Sequence, residues 1–154
     1  MKRILAMILM IGCVLSFCSC GIIKSSKNDV KATVTTNQGT VEVLSAKELY
    51  NISEENGVRF NDVYWDAQVV VSGKINEIKG SHYLNGTYYK WAVVVEGGES
   101  DWFIGVNNYT ETTITEDYLA TLNVGDMVEA SGAIVGASRY SCNISNGEVF
   151  ITKK

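Results

Sequence analysis

Apolar and polar positions begin to alternate at Ala67. Val69, Val71, Gly73 and Ile75 share one face, while Gln68, Val70, Ser72 and Lys74 share the other. A period of two predicts a half-buried strand. About sixty positions later the same V-x-x-S-G-x-I frame returns, VVVSGKI at 69–75 and VEASGAI at 128–134, with Val128, Ala130, Gly132 and Ile134 as the matching inward set. A glycine in the middle of an inward face removes the side chain that would clash where a strand coils sharply. Gly73 and Gly132 are therefore expected to be structural, letting two long strands bend at mid-length and close a small sheet.

Three more strands are predicted, over Tyr88–Val95 (YYKWAVVV), Asp101–Val106 (DWFIGV) and Gly147–Thr152 (GEVFIT). Thr115–Leu122 (TEDYLATL) predicts a short helix capped by Thr113 or Thr115. Ahead of the first long strand, Val41–Leu44 reads as a short strand, and Ser45 with Glu48 makes the S-x-x-E pattern of a capping box. The helix that starts there sets Leu49, Ile52, Phe60 and Val63 near one face if it continues toward Tyr64, with Gly57 placed to break or bend it. Together these describe a mainly β protein: a five-stranded OB-fold barrel with an N-terminal helix and a short helix between strands 3 and 4.

The residues also carry a resemblance. The run SAKELYNISEENGVRFNDVYWDAQVVVSGKINEI, followed later by LNVGDMVEASGAIVG, resembles the tRNA-anti-like OB-fold family, found in many bacterial exported proteins. The features that match are the Glu55-Asn56 pair in the capped helix, Tyr64 after it, the V-x-G-x-I strand end at Val71–Ile75, and the G-D-x-V-x-x-x-G run at Gly125–Gly132. The likeness spans about Val43–Gly136, departing from the family at Gly57–Phe60, where many members have an alanine-rich stretch. These motifs are structural, so the resemblance implies a fold and no reaction.

Residues 1–20, MKRILAMILMIGCVLSFCSC, open with two cations and continue with an apolar run from Ile4 to Phe17. That run is short for a membrane-spanning helix and has the form of an export signal. Its cysteines resemble the lipobox of bacterial lipoproteins, in which a small residue precedes the cysteine that becomes the lipidated N-terminus. Ser19 before Cys20 satisfies this best, with Cys18 and Cys13 as alternatives. Such an anchor implies a cell-membrane location with the chain exposed outside the cytoplasm, each buried CH₂ contributing about 0.8 kcal/mol. Residues 21–40, rich in Ser, Thr, Lys and Asn, read as a flexible tether, and residues 41–154 as the OB-fold domain.

Composition narrows the function classes. The chain has 154 residues, 46% hydrophobic and 19% charged, with no Pro and 14 Gly, so its turns rest on Gly and Asn. Loss of Lys2 and Arg3 with the leader takes 13 basic residues to 11 against 17 acidic ones. That balance does not supply the basic patch that phosphate contacts require. Nucleic acid is accordingly the weaker expectation as partner.

The mature part holds no C-x-x-C, no H-E-x-x-H and no pairing of His82 with a Ser or Cys nucleophile. No catalytic residue, metal ligand or cofactor is assigned, and Cys142 reads as an idle or structural thiol. An OB-fold binds on the outer surface of strands two and three and in the adjoining loops. The candidates there are Lys74, Tyr88, Lys90 and Phe103 on the sheet, with Tyr83, Arg139 and Tyr140 in the loops, while Trp91 and Trp102 are assigned to the core. The leading expectation is a non-enzymatic envelope module for a peptide, protein or glycan. A single-stranded nucleic-acid domain is the alternative, and an exported hydrolase or nuclease the third reading.

Overall fold

The structure, a computed structural model, describes residues 29–154 except Asn85, Tyr109 and Glu111, and only the backbone at Asn146 and Gly147. The leader and its cysteines Cys13, Cys18 and Cys20 lie outside the described residues, as does the first part of the expected tether.

The second part of that tether is a strand. Lys31–Thr35 forms β1, with Ala32 and Val34 buried on its inner face, and it pairs antiparallel with β2, Val41–Ser45. The ordered domain thus begins well before residue 41. The alternation in KATVT is the signal, but it is one short period inside a polar stretch. Asn37 ties the hairpin turn down, its N–H donating to Val63 O at 3.0 Å and its Nδ2 to Trp65 O at 2.6 Å.

Ser45 then caps α1, Ala46–Glu55, through the expected reciprocal box: Glu48 N donates to Ser45 Oγ and Ser45 N to Glu48 Oε2. The bond from the Ser45 backbone, aided by Lys31 at 3.1 Å, holds the Glu48 carboxyl below its usual pKa. The helix breaks at Asn56, one residue before the expected Gly57. Asn56 donates its N–H to Ile52 O and accepts from Arg59 N, so it ends α1 and caps α2, Gly57–Val63. Tyr64 follows, buried, with its hydroxyl donating to Glu42 Oε2 at 2.8 Å.

The five expected strands are β3, Gln68–Lys79; β5, Thr87–Val95; β6, Asp101–Asn107; β7, Met127–Ala137; and β8, Ser141–Lys153. With β1, β2 and a short β4, His82–Leu84, the described strands number eight, not five. The helix between β6 and β7 is a single turn, α3, Glu116–Leu119, capped by Thr115. Pairings run β3–β7–β8–β6–β5 and return to β3, a closed cycle in which only β6–β8 is parallel. Inside it lie Val69, Val71, Ile75, Trp91, Val93, Trp102, Ile104, Val128, Ile134 and Ile144.

Gly73 lies where the cycle closes. One edge of β3 pairs with β1 as far as Val71, then with β5 from Ile75 on. Between these, a Cβ on Gly73 would stand 2.7 Å from Val95 Cγ1 and 3.4 Å from Val30 Cγ1. The bare backbone lets two partners meet on one edge. Gly132, also inward, pairs with Val69, and the register between β7 and β8 begins to shift at it, between Ser131 and Ala133.

Gly73→Val should therefore destabilise the protein by about 1–3 kcal/mol through overpacking against Val95, measured as a lowered urea midpoint. An unchanged midpoint would show that β3 does not need a bare backbone there.

Candidate functional site

The side-chain order of β5 changes at one residue. Tyr89 pairs with Asn107 and Trp91 with Val106, so Lys90 is an extra residue bulged from the ladder. Beyond the bulge Trp91, Val93 and Val95 face the main core, and Ala92 and Val94 face outward. Before it the sense reverses: Tyr89 joins Ala92 and Val94 on the outer side, and Tyr88 and Lys90 fall beside Trp91. The expectation that Tyr88 and Lys90 stand on the face opposite Trp91 is thus corrected.

These residues share a groove of about 500 Å³. Trp91, only 6% exposed, is shared between core and groove. Ile78 and Leu119 supply apolar walls, and Lys79, Tyr88, Lys90 and Glu116 supply the polar and charged lining. Lys79 is ion-paired with Glu77 at 2.9 Å. The site can hold an apolar or aromatic group by contact and an accompanying polar or anionic group by its cations.

Phe103 points outward as its parity requires, yet it is 4% exposed. The hairpin explains this. β4 folds back on β5 with His82 opposite Tyr89, and the His82 ring stacks on Tyr89 and meets Phe103 edge-on, both at 5.6 Å. Tyr89 also lies edge-on to Phe103 at 5.1 Å. Gly105 makes room, since a Cβ there would sit 2.5 Å from Tyr89 Cδ1. A second small core of Tyr89, Ala92, Val94 and Phe103 so fills the surface where an OB-fold commonly receives its ligand. Phe103 is removed from the exposed candidates.

The other candidates separate. Tyr83 is exposed and packs its ring 5.2 Å from Tyr88. Lys74 is exposed on β3 in register with Met127. Arg139 and Tyr140 lie exposed in the turn between β7 and β8, next to a second hollow of about 460 Å³ lined by Trp65, Tyr89, Asn107, Ser138 and Asn143 among others. Ile78, Lys79, Trp91, Glu116 and Leu119 are among the lining residues that sequence reasoning missed. A bulge leaves no period to read, and Trp91 looks like plain core.

The family model for tRNA_anti-like matches residues 1–144. The chain belongs to the tRNA_anti-like family. No curated protein matches it. The residues that carry the likeness now have physical roles in this tRNA_anti-like chain: Asn56 joins two helices, Tyr64 ties them to Glu42, and Gly73 lets β1 and β5 meet on one edge of β3. Gly125, with φ 92°, makes the turn into β7, where its N–H donates to Ile75 O. Cys142 is buried, which pushes its thiol pKa far upward and suits packing rather than nucleophilic chemistry.

Gly105→Ala should force Tyr89 from its place over β6, lowering stability by about 1–3 kcal/mol and changing the near-ultraviolet circular dichroism of the aromatic cluster. An unaltered spectrum with full stability would show that the close approach of Tyr89 is not needed.

Proposed function

We propose that the protein is a lipid-anchored, non-enzymatic binding module of the cell envelope whose aromatic groove takes part of a peptide, protein or glycan. The observation that carries this reading is the groove itself: Trp91 and Tyr88 lie beside aliphatic walls, and Lys79, Lys90 and Glu116 complete the lining. Flat aromatic surface suits a sugar ring or an apolar side chain, and flanking charges orient what it carries. Anchorage through Cys20 rests on the leader sequence and holds the module outside the cytoplasm.

A binding role fits the chemistry of the lining better than catalysis. The groove offers Lys, Tyr, Glu and Ser, with no histidine or thiol to pair with a nucleophile. Among the described residues no three His, Cys, Asp or Glu side chains gather as a metal site would require. Nucleic acid remains the second reading because aromatic residues beside lysines can stack bases. From residue 41 on, the chain holds 8 basic against 16 acidic residues, which works against it.

Three outcomes are expected. Labelling with a fatty-acid probe tags the full chain and is lost in Cys20→Ala; loss only in Cys18→Ala or Cys13→Ala would move the anchor, and no label at all would end the lipoprotein reading. In a screen of glycans, peptides and oligonucleotides, a hit of the first two kinds weakens about tenfold or more in Tyr88→Ala or Lys90→Glu. Single-stranded DNA or RNA binds no tighter than about 10⁻⁴ M at physiological salt. Micromolar oligonucleotide binding that falls steeply with salt and disappears in Lys90→Glu would promote the nucleic-acid reading instead.

A further inference from the structure

Among the described residues β2 ends the sheet, and β1 is its strand partner. The hairpin turn determines which of its backbone groups face outward. Thr36 N donates to Thr40 O at 2.9 Å, and antiparallel alternation from that pair makes Val34–Glu42 and Ala32–Leu44 the hydrogen-bonded pairs. The N–H and C=O groups of Val41, Val43 and Ser45 are thereby directed away from β1. At Ser45 the N–H is taken by Glu48 Oε2 at 2.7 Å. Val41 and Val43 are left with backbone groups aimed at the free edge, and the two residues are 63% and 60% exposed.

Exposed edges are ordinarily guarded by Lys, Pro or a bulge. This one reads Val-Glu-Val-Leu-Ser and keeps an unbroken register with β1. On the face of β2 opposite the valines lies a hollow of about 640 Å³, bounded by Thr40, Glu42, Val58, Arg59, Asp62 and Tyr64. A strand laid along the edge would alternate its side chains between the exposed valines and this hollow.

We propose that the β2 edge binds an extended peptide segment of a partner protein by strand addition, with aliphatic side chains beside Val41 and Val43 and a Lys or Arg across from Glu42. Main-chain hydrogen bonds supply affinity in this mode, and alternate side chains supply choice. A second copy of the chain fits poorly. Antiparallel pairing of two β2 edges through Val41 and Val43 would set Glu42 directly opposite its own equivalent, and like charges so placed repel. Pairing centred on Val43 would instead bring Val41 against Ser45, whose N–H is already committed to Glu48. A foreign strand avoids both, and a cation answers Glu42. The edge joins the first half of β3 through β1, whereas the aromatic groove lies at Ile78 and Lys79, so the inference stands apart from the proposed function.

The probe is the end-blocked peptide Ser-Gly-Thr-Val-Lys-Val-Thr-Gly-Ser, added to the full chain in detergent. In amide hydrogen exchange, Val41 and Val43 exchange freely without peptide and slow about tenfold or more at saturation, while Glu42 and Leu44 are protected throughout. Val43→Pro removes an outward donor without breaking a β1 bond and weakens peptide binding about tenfold. Replacing the peptide Lys by Glu lowers affinity for the wild type about threefold or more, and that order reverses in Glu42→Lys. No binding at millimolar peptide, unchanged affinity in a folded Val43→Pro, or protection spread away from β2 would overturn the proposal. Should Val43→Pro fail to fold, the wild-type exchange pattern decides. Protection of Val41 and Val43 that rises with protein concentration alone would identify a second copy as the occupant and overturn it equally.

Discussion

One edge of β3 has to serve two partners, and the rest of the fold depends on how it does so. Through Val71 that edge pairs with β1, and from Ile75 on it pairs with β5. The change of partner brings Val30 and Val95 to the same point on the strand, and only a residue without a Cβ leaves space for both. The ladder continues across the join, with Glu96 N donating to Lys74 O and Val30 N to Gly97 O. Because β5 can reach β3 here, the pairings close into a cycle. Because β1 can reach it one step earlier, an additional hairpin is carried on its flank.

That division produces two different surfaces. At the far end of β3 the bulge at Lys90 turns Tyr88 and Lys90 to the side of Trp91, opening an aromatic groove against α3. At the near end β1 and β2 extend the sheet to a bare edge. The surface between β5 and β6 is closed by the protein's own rings, since β4 lays His82 against Tyr89 and Phe103. The middle of that face is thus covered, and its open hollows lie toward its ends. An aromatic cluster there contributes to folding what it withholds from binding.

Charges of both signs stand at both places. Glu42, Asp62 and Arg59 line one hollow by the bare edge, and Lys79 in the groove is already paired with Glu77. Neither site gathers the row of unpaired cations that a phosphate backbone requires.

Local chemistry alone determined a good deal. The Ser45–Glu48 cap, the alternation of β3, the glycines in its core face and that of β7, and the burial of Trp91 and Trp102 were all legible, because each depends on neighbours within a few residues or on a strict period of two. The family motifs were legible for the same reason. What sequence could not determine was decided by contacts between distant segments. Lys31–Thr35 is a strand because β3 offers it an edge. Phe103 is buried because β4 returns across β5. Lys90 leaves the ladder because Tyr89 and Trp91 must each meet a fixed partner on β6. Sequence set which residues could face inward, and tertiary pairing decided which outward ones were left in water, since exposure depends on what other strands cover.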